Sequence, residues 1–269
     1  MTPYGKVSGA VSRNNKRTIM SKSDCDIRIG TSGWHYDHWR ELFYPAELPK
    51  SKWFKHYAGH FDTVEINNTF YQLPKAQSIE KWHRQAPQHF LYSVKANRYI
   101  THIKRLKDHP ETLERFLERA SLLKEKLGPI LYQLPPSLHK DIDLLKGFIG
   151  FLPQKPPAVF EFRQKNWYSE DTFELLDKSG VSFCIHDMPG IVSPRIITGS
   201  LIYIRFHGPT GRYQGNYSKK ALQDWAQWLK EHSRDAPSAF VYFNNDIGGC
   251  AIRNAKTLKQ QITSDFSNP

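Results

Sequence analysis

Tyr203, Arg205 and His207 alternate with Ile202, Ile204 and Phe206. In a β-strand that spacing turns the polar trio to one face and the apolar trio to the other. The same arrangement recurs three times. Glu161 and Arg163 alternate with Phe160 and Phe162, Glu65 and Asn67 with Val64 and Ile66, and Ser93 and Lys95 with Tyr92 and Val94. Gln133, His186 and Asn244 close three further β-type runs. These residue types can hold an anion and move protons. Lys95, Arg163 and Arg205 would grip the anion; Glu65 or Glu161 would act as general base or acid, with His186 or His207 as the partner. Two carboxylates among several cations can have their pKa values driven apart. The same residues could instead form an ion-pair network, because an unpaired buried charge costs several kcal/mol and each carboxylate needs a cation beside it. For a single residue the structural role is enough. Convergence of the whole set at one face points to function, since aliphatic side chains would fill a core without that penalty.

Such convergence needs a scaffold that brings many strand ends together. Eight short runs rich in β-branched and aromatic residues run along the chain: Ile27–Thr31, Thr63–Asn67, Phe90–Lys95, Ile130–Gln133, Ala158–Phe162, Ser182–His186, Leu201–Phe206 and Ala239–Asn244. Segments with helical spacing lie between most of them: Lys50–His60, Ala76–Gln85, Glu111–Leu127, Asp141–Phe151, Ser169–Lys178, Ser218–His232 and, after the last run, Gly249–Ile262. The third of these has Pro110 before it and Gly128-Pro129 after it as start and stop signals. The sixth connection, Met188–Ser200, shows no helical pattern. Strand–helix alternation repeated eight times predicts a parallel sheet, and the count of eight favours closure. No GxGxxG follows the first strand to suggest a dinucleotide-binding sheet. The expected fold class is therefore α/β, a single (β/α)8 TIM barrel over residues 25–269, preceded by a short flexible basic arm, residues 1–24. Its working face is where the strands end.

The loops at that face add candidates. His207 to Tyr217 mixes glycines, aromatics and cations and offers Tyr213 and Tyr217 as ligand contacts. Asn244, Asn245 and Asp246 lead into Gly248 and Gly249, whose amides could approach an anion at the start of the last helix. Phosphate sites of barrels often form after the seventh and eighth strands. Trp34, in the turn after the first strand, is expected over the mouth, where it could stack on a base or sugar. The neighbouring Tyr36, Trp39, Phe43 and Tyr44 have the composition of a satellite core.

The chain has 269 residues, 39% of them hydrophobic, a composition suited to one globular core. The net charge is +12. Lys6, Arg13, Lys16, Arg17 and Lys22 against Asp24 place +4 of it in the first 24 residues. A basic body attracts polyanions or phosphorylated metabolites. No apolar run reaches the roughly 20 residues of a membrane span, and no apolar stretch resembles a secretory leader. Cys25, Cys184 and Cys250 are few and widely spaced, so no disulfide framework, metal motif or cofactor is expected, and the compartment is read as cytoplasmic.

Several of these motifs together resemble the YecE-like domain-of-unknown-function family, DUF72. The resemblance lies in Ile29-Gly30-Thr31-Ser32-Gly33-Trp34 with Trp39 and Phe43-Tyr44-Pro45, in Thr63-Val64-Glu65-Ile66-Asn67 with Thr69-Phe70-Tyr71, and in Phe160-Glu161-Phe162-Arg163 with Trp167. It continues in Arg205-Phe206-His207-Gly208 with Tyr213 and Tyr217, and in Tyr242-Phe243-Asn244-Asn245-Asp246 with Gly248, Ala251, Asn254 and Ala255. It runs from about Ile27 to Leu258 and implies a (β/α)8 barrel without an established activity. It also implies glycine at position 41, where this chain carries Glu41. The barrel class is similar in shape to endonuclease-IV-like and xylose-isomerase-like enzymes, which is analogy of fold alone.

Three functions compete. The first is an enzyme acting on a phosphate-bearing substrate, either an anionic small molecule or nucleic acid. The second is a metal-dependent hydrolase or isomerase using Glu65, Glu161, His186, Asp187, His207 and Asp246; the neighbouring cations argue against it. The third is a non-catalytic nucleic-acid-binding protein, whose affinity would fall steeply with salt. No recognised nucleic-acid motif is present.

Overall fold

The computed structural model describes residues 25–107, 110–211 and 213–266. The expected arm, 1–24, lies outside them. All eight expected strands form: β1 (Asp26–Thr31), β2 (Thr63–Ile66), β3 (Leu91–Lys95), β4 (Leu127–Gln133), β5 (Ala158–Glu161), β6 (Ser182–Asp187), β7 (Ile202–Phe206) and β8 (Ser238–Phe243). From β2 to β8 each pairs in parallel with its neighbour in sequence, and β1 pairs in parallel with β8. The helices are α1 (Trp53–Ala58), α2 (Asn68–Tyr71), α3 (Ala76–Gln85), α4 (Pro110–Ser121), α5 (Ile142–Ile149), α6 (Glu170–Lys178), α7 (Lys219–Glu231) and α8 (Cys250–Phe266).

Between β1 and β2 the ring closes by a different device. The described strands meet there through one parallel bridge, Ser32 to Glu65. Just below it the Tyr57 hydroxyl of α1 is inserted between the two backbones. It accepts from Thr31 N at 2.9 Å and donates to Thr63 O at 3.1 Å, replacing a direct ladder bond. Gly30 makes this approach possible, because a Cβ there would lie 2.3 Å from Thr63 O.

Alternation along the strands divides the core in two, as the sequence implies. Outward residues such as Val64, Tyr92, Phe160, Ile204 and Phe206 join the layer beneath the helices. The barrel interior holds a separate apolar cluster that includes Leu131, Val159, Cys184, Leu201, Tyr203, Phe240 and Tyr242. The Tyr242 hydroxyl finds partners in Thr63 Oγ1 at 2.6 Å and Ser93 Oγ at 2.8 Å, so its burial leaves no polar atom stranded.

Some boundaries differ from expectation. The helix expected to reach Leu127 ends at Ser121, and β4 starts at Leu127, so Gly128-Pro129 lies inside the strand. Buried Lys126 explains the turn. Its ammonium donates to His83 O at 2.7 Å and Ala86 O at 2.6 Å, capping the end of α3 and fixing the chain where it enters β4. Asn67 is not in β2 but stands at the N-cap position of the short helix α2, without a side-chain capping bond, and a π-turn, Tyr99–Ile103, follows β3. The sixth connection has no helix, as expected. Its Arg195 guanidinium instead stacks 3.6 Å from the centre of the Trp225 ring on α7.

Candidate functional site

The C-terminal strand ends converge on Arg205 of β7, which is 1% exposed. Its Nη2 donates to Glu65 Oε1 of β2 at 2.8 Å, and its Nη1 to Glu161 Oε2 of β5 at 2.5 Å. Glu65 also accepts from Ser32 Oγ at 2.8 Å and Tyr203 Oη at 2.7 Å. Both Glu65 oxygens are thus engaged. Glu161 Oε1 lies against Arg163 Nη2 and 3.5 Å from His207 Nε2. Burial would raise the Glu161 pKa, but the two guanidiniums outweigh it and hold the carboxyl well below its ordinary value. Burial alone would lower Arg205; Glu161 and Glu65 raise it well above the usual value instead.

The histidines stand on the other side of this group. His207 is fully buried between Arg163 Nη2, at 2.9 Å from Nε2, and Asn244 Nδ2, at 3.2 Å from Nδ1. Desolvation and then Arg163 push its pKa well below 6.5. Desolvation lowers His186 to about 4, and its ring lies 6.2 Å from that of His207. Both imidazoles are therefore neutral near pH 7. Lys95, at the end of β3, donates to Gln133 Oε1 at 2.8 Å and lies 4.1 Å from the centre of the Phe70 ring. Desolvation, with Arg205 adding to it, brings its amine down to about 7.

Several buried polar atoms of this cluster have no hydrogen-bond partner among the described residues: Arg163 Nε, Arg205 Nε, His186 Nδ1 and Glu161 Oε1, the last having only its ion-pair contacts; Asn67 Oδ1, just past β2, has none either. Around them the loops expose apolar side chains. Leu42, Tyr71, Tyr99, Ile103, Val192, Tyr213 and Ile247 all follow strand C-terminal ends, whereas Phe151 beyond α5 does not.

The site thus gathers Glu65, Lys95, Gln133, Glu161, Arg163, His186, Arg205, His207 and Asn244, with Asn67 at its edge and Tyr213 at the rim, its ring 6.0 Å from His207. Other expected contacts go elsewhere. Trp34 does not cover the mouth; its apolar indole packs among Phe54, Trp82 and Tyr92. Tyr217 is buried against Phe206 and Phe243, and its hydroxyl accepts from Gly208 N at 3.2 Å. Asn245 donates to Gly215 O and Asn254 Oδ1, tying the β7 loop to α8. The carbonyl of Asp246 accepts from Trp39 Nε1 at 3.1 Å. The amides expected to face an anion at Gly248-Gly249 are largely used within the turn. Those of Gly249, Cys250 and Ala251 donate to Asp246 O, Ile247 O and Asn245 O.

Sequence reasoning left out Ser32, Phe70, Tyr168 and Tyr203. Tyr203 shares the inward set of Arg205 and was legible there. Ser32 lies one residue past its strand, and Tyr168, whose hydroxyl is 3.4 Å from His186 Nε2, lies in a turn without periodicity. Among the described residues no three His, Cys, Asp or Glu side chains gather as a metal site. Glu65 and Glu161, two of the carboxylates such a site would use, are bound to guanidinium instead. No helix among the described residues is long and apolar enough to cross a membrane.

Fold and site together define a (β/α)8 barrel protein with a buried ion-pair cluster at its C-terminal mouth. The chain belongs to the family described as Protein of unknown function DUF72, whose family model matches residues 28–269. It is 28% identical to UPF0759 protein YunF of Bacillus subtilis, over 90% of this chain and 96% of that protein. To UPF0759 protein YecE of Escherichia coli K12 it is 25% identical, over 80% and 86%. A solved DUF72 family protein from Thermotoga maritima superposes with a TM-score of 0.82 at 30% identity, covering 88% of this chain and 99% of that one. One from Enterococcus faecalis matches in fold, with a TM-score of 0.72 at 21% identity, covering 91% of this chain and 99% of that one.

Proposed function

We propose that the barrel mouth binds a small anionic substrate, phosphate-bearing in the first instance, and acts on it by acid–base chemistry. One observation carries this reading: Arg163 Nε and Arg205 Nε, both buried, have no acceptor among the described residues. A buried unsatisfied donor costs about 1–3 kcal/mol, which an anionic acceptor would offset. Charge agrees. Lys95, Arg163 and Arg205 against Glu65 and Glu161 leave one positive charge when Lys95 is protonated. The proton-exchanging group in this reading is Lys95, whose pKa lies near 7. Glu65 and Glu161, the acid and base expected from the sequence, instead hold Arg205 in place, each carrying one arm of its guanidinium. His207 accepts from the Arg163 guanidinium on Nε2 as a neutral ring, and His186 is a neutral ring whose Nδ1 has no hydrogen-bond partner among the described residues.

Calorimetric titration with inorganic phosphate at low ionic strength tests this. Wild-type protein should bind, and Arg163→Met should weaken binding by about tenfold or more, the value of a charge-assisted bond. Equal affinity in the two proteins would remove Arg163 from the site.

A second reading, a nucleic-acid ligand, is supported by the exposed rings of Tyr71, Tyr99 and Tyr213 around the mouth and by the net charge of +12. Bases stack on such rings, and phosphates bind such charge. Affinity for an oligothymidine should then fall steeply with salt; weak binding with a shallow slope would exclude it.

A further inference from the structure

Lys95 has surroundings that a lysine used only for charge does not need. No carboxylate among the described residues forms an ion pair with it. The two carboxylates that act on it electrostatically, Glu161 of β5 and Glu65 of β2, are engaged by guanidinium groups. The other charged or titratable groups acting on it are Arg205 of β7, Arg163 after β5, and His102 in the π-turn after β3. Gln133 takes one of its hydrogen bonds, and Phe70 covers one side. Lys95 as a residue is half-buried, at the C-terminal end of β3.

We propose that Lys95 Nζ is a nucleophile that forms an imine with a carbonyl compound carrying an anionic group, with that group resting on Arg163 and Arg205. This rests on the anion-binding reading above and adds the reaction type. A lysine desolvated beside another cation supplies a neutral amine at ordinary pH. The depressed pKa of about 7 agrees with the geometry. The amine lone pair attacks the carbonyl carbon as the C=O π pair moves to oxygen, and a proton passes from nitrogen to that oxygen. Nitrogen then expels the hydroxyl as water while forming C=N, losing its second proton to the departing group. Amine and carbonyl give imine and water, with no oxidant or reductant consumed.

The experiment traps that imine in the full-length protein. Samples are incubated near neutral pH with pyruvate or, in parallel, with dihydroxyacetone phosphate, reduced with sodium cyanoborohydride, and mapped by peptide mass spectrometry. An amine with a pKa of about 7 is neutral on the order of 10²–10³ times more often near pH 7.5 than an ordinary lysine. The reduced adduct should therefore concentrate on Lys95, at least about tenfold over exposed lysines, after allowance for lower nucleophilicity. Labelling by pyruvate alone would mark a carboxylate as the anionic group, and by dihydroxyacetone phosphate alone a phosphate; either supports the imine. Gln133→Glu places a carboxylate beside Nζ and should move the labelling profile to higher pH by about 1–2 units. Adducts spread over exposed lysines with no enrichment at Lys95, for both probes, overturn the proposal. If phosphate still binds such a sample, the imine alone fails; if it does not, the anion-binding reading fails with it.

Discussion

Replacing Arg205 with methionine should expose how far the mouth depends on one guanidinium. Arg205 is the shared partner of two carboxylates that are both 0% exposed. Without it, Glu65 keeps the Ser32 and Tyr203 hydroxyls, and Glu161 keeps Arg163. Removing one member of a buried ion pair costs about 3–5 kcal/mol, because a charge is left in a medium that solvates it poorly. In a chain of this size that lowers Tm by roughly 6–20 °C, at about 2–4 °C per kcal/mol. The pH dependence separates this cause from loss of packing. In wild type the folded-state pKa of Glu161 lies below its unfolded value. Its stabilisation is therefore complete above the unfolded pKa and fades as pH falls through the folded one. In Arg205→Met, Glu161 keeps Arg163 but loses the second guanidinium that offsets its burial, so its folded-state pKa rises towards the ordinary carboxylate value. The carboxylate part of the gap to wild type is then full above the unfolded pKa and closes as pH falls below it. It should close by about 1.4 kcal/mol per unit of upward shift. Urea unfolding followed by tryptophan fluorescence at about pH 7.5 and about pH 3.5, either side of the unfolded pKa, measures it. Glu65→Gln in the same background should restore part of the loss. A loss under about 1 kcal/mol, equal at both pH values, would refute the reasoning.

Two further outcomes follow from the backbone. Glu41 has a φ of 65°, the left-handed region that glycine occupies freely. Glu41→Gly should stabilise the protein by roughly 0.5–1 kcal/mol, read as a rise in Tm of a few degrees; a fall would show that the Glu41 side chain has a compensating role. Tyr57→Phe removes the hydroxyl that joins Thr31 N to Thr63 O. It should cost about 1–3 kcal/mol, with hydrogen exchange at the Thr31 amide accelerating more than in β5 or β6; uniform acceleration would count against a local seam.

The strand count was legible because inward and outward residues alternate along the runs, with an inward polar residue near the C-terminal end of most of them. That alternation also located Glu65, Lys95, Glu161, Arg205 and His207, which share a face once the barrel closes. It did not reveal what each residue touches. Glu65 and Glu161 are equally consistent with a catalytic pair or with two clamps on Arg205, and only the distances assign them the second task. Trp34 and Tyr217 illustrate a different limit. An aromatic residue in a loop carries no periodic signal of direction, and both turned towards the nearest apolar surface. Gly248-Gly249 shows a third, since a glycine pair at a helix start does not reveal whether its amides face outward or close their own turn. The Tyr57 bridge was beyond reach, because it joins a helix to two strands through a contact with no sequence pattern.

The central claim is that the mouth is built to receive an anion on Arg163 and Arg205 beside Lys95. A crystal structure of the protein soaked in inorganic phosphate tests it most directly. The account predicts an oxyanion within hydrogen-bond distance of Arg163 Nε and Arg205 Nε, with Lys95 Nζ turned towards it. Phosphate found only at other sites, with those two nitrogens solvated by water, would contradict it.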